Sequence, residues 1–229
     1  MRQNEPELGE PIGPRDWLKI VPFEAVAASD RLGWAGLQAA RYREAPAFEI
    51  NPPASTHHHL ILFARPPEEL DFLYEGVKRR IPPPAGVISV VPAGSPHRVR
   101  SSGNKDELHI HLKAGLVGQV AAEAFGLDPA RLAVPPLDAL DLPKLRAAMM
   151  AVNAELTAGA AGGRLAAESL ANVLAVHLIR HVLAPRRPER WQDGALPQRR
   201  LRAVVEYIEE HLDGSPTLGH MAAVARFSP

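Results

Sequence analysis

Proline sets the first limit on this fold. The chain carries 23 prolines in 229 residues. Pro46, Pro52, Pro53, Pro66, Pro67, Pro82, Pro83, Pro84, Pro92 and Pro96 crowd one stretch of it. Proline has no amide proton and clashes with the preceding turn of a helix. The segments between these prolines are therefore too short for helices and suit strands. From about Gly115 the texture changes to alanine- and leucine-rich sequence at helical spacing. Strands first and helices afterwards predict an α+β chain.

The strands can be placed. Leu37–Arg43, Phe48–Ile50, His57–Ala64, Phe72–Arg80 and Gly86–Val91 are expected to be extended, with a turn at Glu75-Gly76 inside the fourth. Glu107–Leu112 alternates cleanly. Leu108, Ile110 and Leu112 fall on one face, and Glu107, His109 and His111 on the other. Alternation shows which residues share a face, not which face meets solvent. Short strands separated by turn signals at this density predict an antiparallel barrel or sandwich.

The helices follow. Leu116–Phe125 closes on Gly126. Leu142, Leu145, Met149, Val152 and Leu156 repeat at three and four, with Asp141 as a candidate cap. After the break at Gly159–Gly163, Arg164–Leu183 is apolar on two sides and calls for cover from its own domain and from a partner chain. The segment 185–197, rich in proline and charge, is expected to be a linker.

Composition excludes several classes. Twenty-six basic residues balance 26 acidic ones, so no large field marks the chain as a whole for nucleic acid or membrane. There is no cysteine, hence no disulfide framework and no thiolate metal site. The first twenty residues are polar and acidic, unlike a signal peptide, and no apolar run approaches the roughly 18 residues of a membrane span. A cytoplasmic protein without a membrane partner is expected.

The densest local signal is Gly86-x5-Pro92-x-Gly94-x2-His97, a buried strand, a tight turn and a histidine at the start of the next strand. This pattern resembles the second motif of the cupin superfamily. The His-x-His of the first motif has its counterpart in His57 and His59, with His58 on the opposite face. The resemblance implies a small cupin-like barrel over residues 1–113. In metal-binding cupins a glutamate follows the His-x-His by four or five residues, and here Phe63 and Ala64 stand there. A carboxylate ligand is thus missing, and the expectation is a pocket without metal or cofactor. Its ligand-binding candidates are His57, His59, His97, His109, His111 and Tyr74. Three neutral histidines can still hold zinc or iron, so a small metal-dependent cupin enzyme is the alternative. No catalytic residue can be named, because no glycine-rich phosphate loop, G-x-S-x-G or H-E-x-x-H occurs.

The chain closes on a second pattern. Leu201, Val204, Val205, Ile208 and Leu212 form a helical stripe, Gly214 stands where a C-cap belongs, and Thr217 can cap a short helix after it. The sequence RLRAVVEYIEEHLDGSPTLGHMAAVARFSP resembles the start of the DNA-binding domain of AraC/XylS-type regulators. That family often joins such a domain to a cupin-like sensing domain through a helical dimerisation segment. The resemblance implies a dimerisation region over 114–184 and an incomplete helix-turn-helix over 198–229, cut off before its recognition helix. Thr217 and three arginines (Arg199, Arg200 and Arg202) are the candidate DNA contacts. The implied partners are a small-molecule effector, DNA for the full-length protein, and a second copy of the chain.

Overall fold

A computed structural model describes residues 10–74, 77–80, 83–158 and 163–184, together with Tyr207. The expected linker at 185–197, the expected helix-turn-helix with Arg199, Arg200, Arg202 and Thr217, and the Glu75-Gly76 turn lie outside the described residues.

The elements run in the order helix α1 (Pro14–Ile20), strands β1 (Ala27–Ala28), β2 (Leu37–Ala45), β3 (Phe48–Ile50), β4 (His57–Arg65), β5 (Leu70–Tyr74), β6 (Val77–Arg80), β7 (Ile88–Val91), β8 (His97–Ser101) and β9 (Lys105–Lys113). Helix α2 (Ala114–Phe125), a short 3-10 turn, strand β10 (Leu137–Leu140) and helices α3 (Pro143–Ala158) and α4 (Gly163–Leu183) complete the series. The α+β class holds, and the strands and helices expected from pattern form within a few residues of their expected ends. The stretch Phe72–Arg80 divides into β5 and β6, which pair with each other. Three elements escaped the pattern. Helix α1 is seven residues long, too short for helical periodicity to register. Strand β1 has two residues and β10 four, below the length at which alternation can be counted.

All strand pairs are antiparallel. They form a six-stranded sheet in the order β1-β2-β9-β4-β7-β10 and a four-stranded sheet in the order β3-β8-β5-β6. Among the described residues the two sheets face each other without joining into one closed ring. The main core lies on the outer side of the larger sheet. Leu37, Ala39, Leu60, Leu62, Leu108, Ile110 and Leu112 pack there against Val117, Met149, Val152, Leu174 and Leu178 of the three long helices. Fully burying each such side chain is worth about 1.5–3 kcal/mol. Helix α2 ends at Gly126, whose φ of 63° supplies the left-handed C-cap. No described helix is long and apolar enough to cross a membrane.

Where β2 begins, helix and sheet come close. Gly36 has φ +83°, and a Cβ there would lie 3.1 Å from Leu116 Cδ2 and 3.3 Å from Ala171 Cβ. Its carbonyl accepts the amide of Lys113 at 2.8 Å. Gly33 has φ +65° with nothing within 4 Å of the same position. Gly36→Ala is expected to lower unfolding free energy by about 2–3 kcal/mol, from backbone strain plus crowding, and Gly33→Ala by about 1 kcal/mol from strain alone. Urea denaturation of both variants checks the difference; equal losses would show that the close approach contributes nothing.

Candidate functional site

The inner face of the larger sheet carries the site. Pairing of β4 with β9 sets His59 opposite His111, Ile61 opposite His109, and Phe63 opposite Glu107. On the other side of β9, Tyr42 of β2 stands opposite Glu107. Since neighbours along a strand alternate between faces, the same register that sends Leu108, Ile110 and Leu112 to the helices sends Glu107, His109 and His111 inward. These three side chains are 2–5% exposed. The polar face of β9 is thus an interior wall, and the apolar face is covered by helices.

The wall is held together ring by ring. His59 and His111 stack with centroids 4.2 Å apart and planes 12° from parallel. His59 Nε2 lies 3.1 Å from His109 Nδ1, and His109 Nε2 lies 3.2 Å from Glu107 Oε2. Tyr42 meets the His109 ring edge-on at 4.8 Å. Histidine 97 arrives from β8 of the smaller sheet and is stacked between Phe72 at 5.1 Å and Trp17 at 5.8 Å. Trp17 also meets His59 edge-on at 4.7 Å and leans on His111 at 5.5 Å. It reaches this position from α1, whose first residue, Pro14, presets the helical φ. The Pro14 carbonyl accepts the side-chain amide of Gln38 at 3.3 Å, tying α1 to the sheet.

Between the sheets lies a cavity of about 50 Å³, lined by residues of both sheets and by Trp17. Phe48, Phe63, Phe72 and several aliphatic side chains give it mostly apolar walls, while His59, His97, His109, Glu107, Asp138 and two serines, Ser89 and Ser101, form its polar part. A water-sized atom needs roughly 10–15 Å³ of such space, so there is room for a small compact molecule.

Burial keeps three of its imidazoles, those of His59, His97 and His111, neutral. Burial, then the neighbouring imidazoles, hold His59 and His111 well below the ordinary histidine range. Burial also brings His97 down to about 4, against a small opposing effect of its contact with the Ser95 carbonyl. On the opposite face of β4, burial and then His57 bring His58 down to about 4. Burial, and then the charge of Glu107, push the Tyr42 hydroxyl up. Six buried polar atoms find no hydrogen-bond partner among the described residues, and five of them gather here: Trp17 Nε1, Tyr42 Oη, His59 Nδ1 and both ring nitrogens of His111; the sixth, Asn153 Oδ1, lies on α3. Each unsatisfied group costs about 1–3 kcal/mol. Each such group calls for an explanation, such as a bound water, an ion or a functional role.

The structure brings together four of the expected ligand residues, His59, His97, His109 and His111. His57 lies apart. Its Nδ1 is 2.8 Å from Thr56 Oγ1, and it borders a second, more open cleft of about 120 Å³ beside α1. The Tyr74 hydroxyl lies 3.3 Å from Ser95 Oγ, outside the cavity lining. Sequence reasoning missed Trp17, Tyr42 and the role of Glu107. Glu107 is Phe63's partner across the ladder, and its carboxylate borders the cavity. A cross-strand partner is not visible in sequence spacing; the alternation over 107–111 was the one available signal. No group of three or more His, Asp or Glu side chains among the described residues is arranged to hold a metal ion.

No protein-family model matches the sequence, and no curated protein matches it. Solved structures similar to it include the AraC-like transcriptional activator CuxR, at 14% identity and TM-score 0.46 over 84% of this chain and 67% of that one. ToxT from Vibrio cholerae is 9% identical with TM-score 0.41, over 84% of this chain and 70% of that one. A cupin superfamily protein from Desulfitobacterium hafniense is 22% identical with TM-score 0.30, over 38% of this chain and 72% of that one.

The depressed histidine pKa values define a pH response. The unfolded chain takes up protons near pH 6.5, whereas the folded chain resists them down to about 4 at His58 and His97. Their contribution is intact above pH 6.5 and is lost as pH falls toward 4. The loss is up to about 1.4 kcal/mol per pH unit for each histidine that titrates only on unfolding. Urea midpoints measured from pH 7.5 to 4.5 should fall steadily, and His111→Phe should give a shallower slope. A flat wild-type profile would count against a buried, neutral histidine wall.

Proposed function

We propose that this chain is the sensing and dimerising part of a ligand-responsive transcriptional regulator, and that the chamber between its sheets binds a small-molecule effector. The carrying observation is the enclosed, mostly apolar cavity bordered by buried histidines, with unsatisfied polar atoms gathered around it. Stability alone favours an apolar filling at such a place, because unpaired buried polar groups are costly. The order of sheets and helices, followed by a sequence that resembles the start of the DNA-binding domain of AraC/XylS-type regulators, supports regulation of transcription rather than catalysis. The effector acts by binding one arrangement of the dimer more tightly than another, since a ligand with equal affinity for both shifts nothing.

The helices support a homodimer. Leu165, Val173 and Leu183 of α4 and Met150 of α3 are large apolar side chains left exposed. Sedimentation of the purified chain is expected to show a dimer, and the double variant Leu165→Glu, Val173→Glu a monomer with an unchanged unfolding midpoint. A wild-type monomer at micromolar concentration would remove this part of the proposal.

For DNA, the full gene product is expected to bind sequence upstream of its own gene, with affinity that falls log-linearly as salt rises. Candidate DNA contacts are Arg199, Arg200, Arg202 and Thr217. Failure to shift any upstream fragment in a salt-controlled assay would overturn the regulatory reading. Stoichiometric zinc, iron or manganese in the purified protein would favour a metal-dependent cupin enzyme instead.

A further inference from the structure

Glu107, His109 and His59 form one hydrogen-bonded chain, and an ionised Glu107 with a singly protonated His109 sets its direction. A carboxylate only accepts. Glu107 Oε2, at 3.2 Å, therefore takes the proton of His109 Nε2. With one proton on the ring, His109 Nδ1 is a lone pair, so His59 Nε2 donates to it across 3.1 Å. The single proton of His59 is thereby committed, and its Nδ1 is a bare acceptor. That atom is buried and has no partner among the described residues, and its ring borders the cavity. Trp17 Nε1, which can only donate, is likewise unsatisfied, on a ring 4.7 Å from that of His59.

Resting on the reading that this cavity holds the effector, we infer that the effector is a small uncharged molecule with a hydroxyl on an aromatic or similarly flat apolar body. The hydroxyl donates to His59 Nδ1 and accepts from Trp17 Nε1–H. A hydroxyl is both donor and acceptor on one atom, which matches the two orphans. A carboxylate would present lone pairs to the His59 lone pair and leave it unpaired. The apolar body fits walls that include Phe48, Phe63 and Phe72. The suppressed basicity of His59, caused by burial and then by His111, His109 and His97, agrees with a neutral acceptor at this place.

Calorimetric titration of the intact chain with phenol, toluene and benzoate at pH 7.5 tests this. Phenol is expected to bind at least tenfold more tightly than toluene, and benzoate more weakly than either. In His59→Phe the phenol advantage should fall below threefold while toluene binding persists. Equal affinity for phenol and toluene, or benzoate binding tightest, overturns the inference and leaves the cavity as a ligand site. If none of the three binds, the cavity reading itself falls, and the inference with it. Should His59→Phe fail to fold, nitrogen-15 NMR of the wild-type histidines decides. A proton on His59 Nε2 and none on Nδ1 is expected, and a protonated Nδ1, as a cationic His109 would impose, overturns the inference.

Discussion

The antiparallel ladder between β4 and β9 decides almost everything else in this molecule. Its side chains alternate, and both faces are buried, one under helices and the other against the second sheet. In this register Leu60 and Leu62 join Leu108, Ile110 and Leu112 beneath the helices, and His59 meets His111 inside. A slip of one residue would exchange the two sets. Imidazoles and a carboxylate would then face the helical core, and leucines would fill the chamber. The register is thus specified by the cost of burying polar groups where nothing can pair with them. The same cost makes the chamber a distinct chemical compartment.

Within that compartment the polar groups are unevenly satisfied. Glu107, His109 and His59 pair in sequence, while His111 has neither nitrogen engaged among the described residues and Trp17 holds a free N–H. Aromatic stacking partly offsets this, since Trp17, His59, His97, His111 and Phe72 form a continuous set of ring contacts, each worth roughly 0.5–1.5 kcal/mol beyond area burial in aromatic pairs. Apolar packing keeps the chamber in shape while its hydrogen-bonding capacity stays open. Lys105, at the start of β9, shows the contrasting solution. It is fully buried, yet its ammonium donates to the carbonyls of Pro46 and Ser102 and sits 4.4 Å from the Phe48 ring centroid. That charge is satisfied within the fold, and it makes no claim on a ligand.

Much of the fold was legible in the sequence for local reasons. Proline spacing excluded helices between residues 46 and 96, and alternation over 107–112 separated two faces. Spacings of three and four drew the stripes of α3 and α4. The candidate site was legible in part. His59 and His97 came from a motif resemblance, and His109 and His111 from alternation. His57 shares their strand face but lies beside another cleft, because β4 runs beyond the chamber at that end. Trp17 was hidden because a seven-residue helix leaves no periodic trace, and Tyr42 because nothing local marks a core tyrosine that packs against His109.

The sequence by itself determined the element types, the α+β order and the grouping of residues onto faces, since all of these depend on neighbours within a few positions. It could not determine which face of β9 looks inward. Alternation is symmetric, and a polar face is as compatible with solvent as with a chamber. Tertiary structure made that choice by laying three helices over the leucine face and a second sheet over the histidine face. It also set Glu107 opposite Phe63, 44 positions earlier in the chain. Pairing at that distance is fixed by the collapse of the whole sheet, not by any local preference.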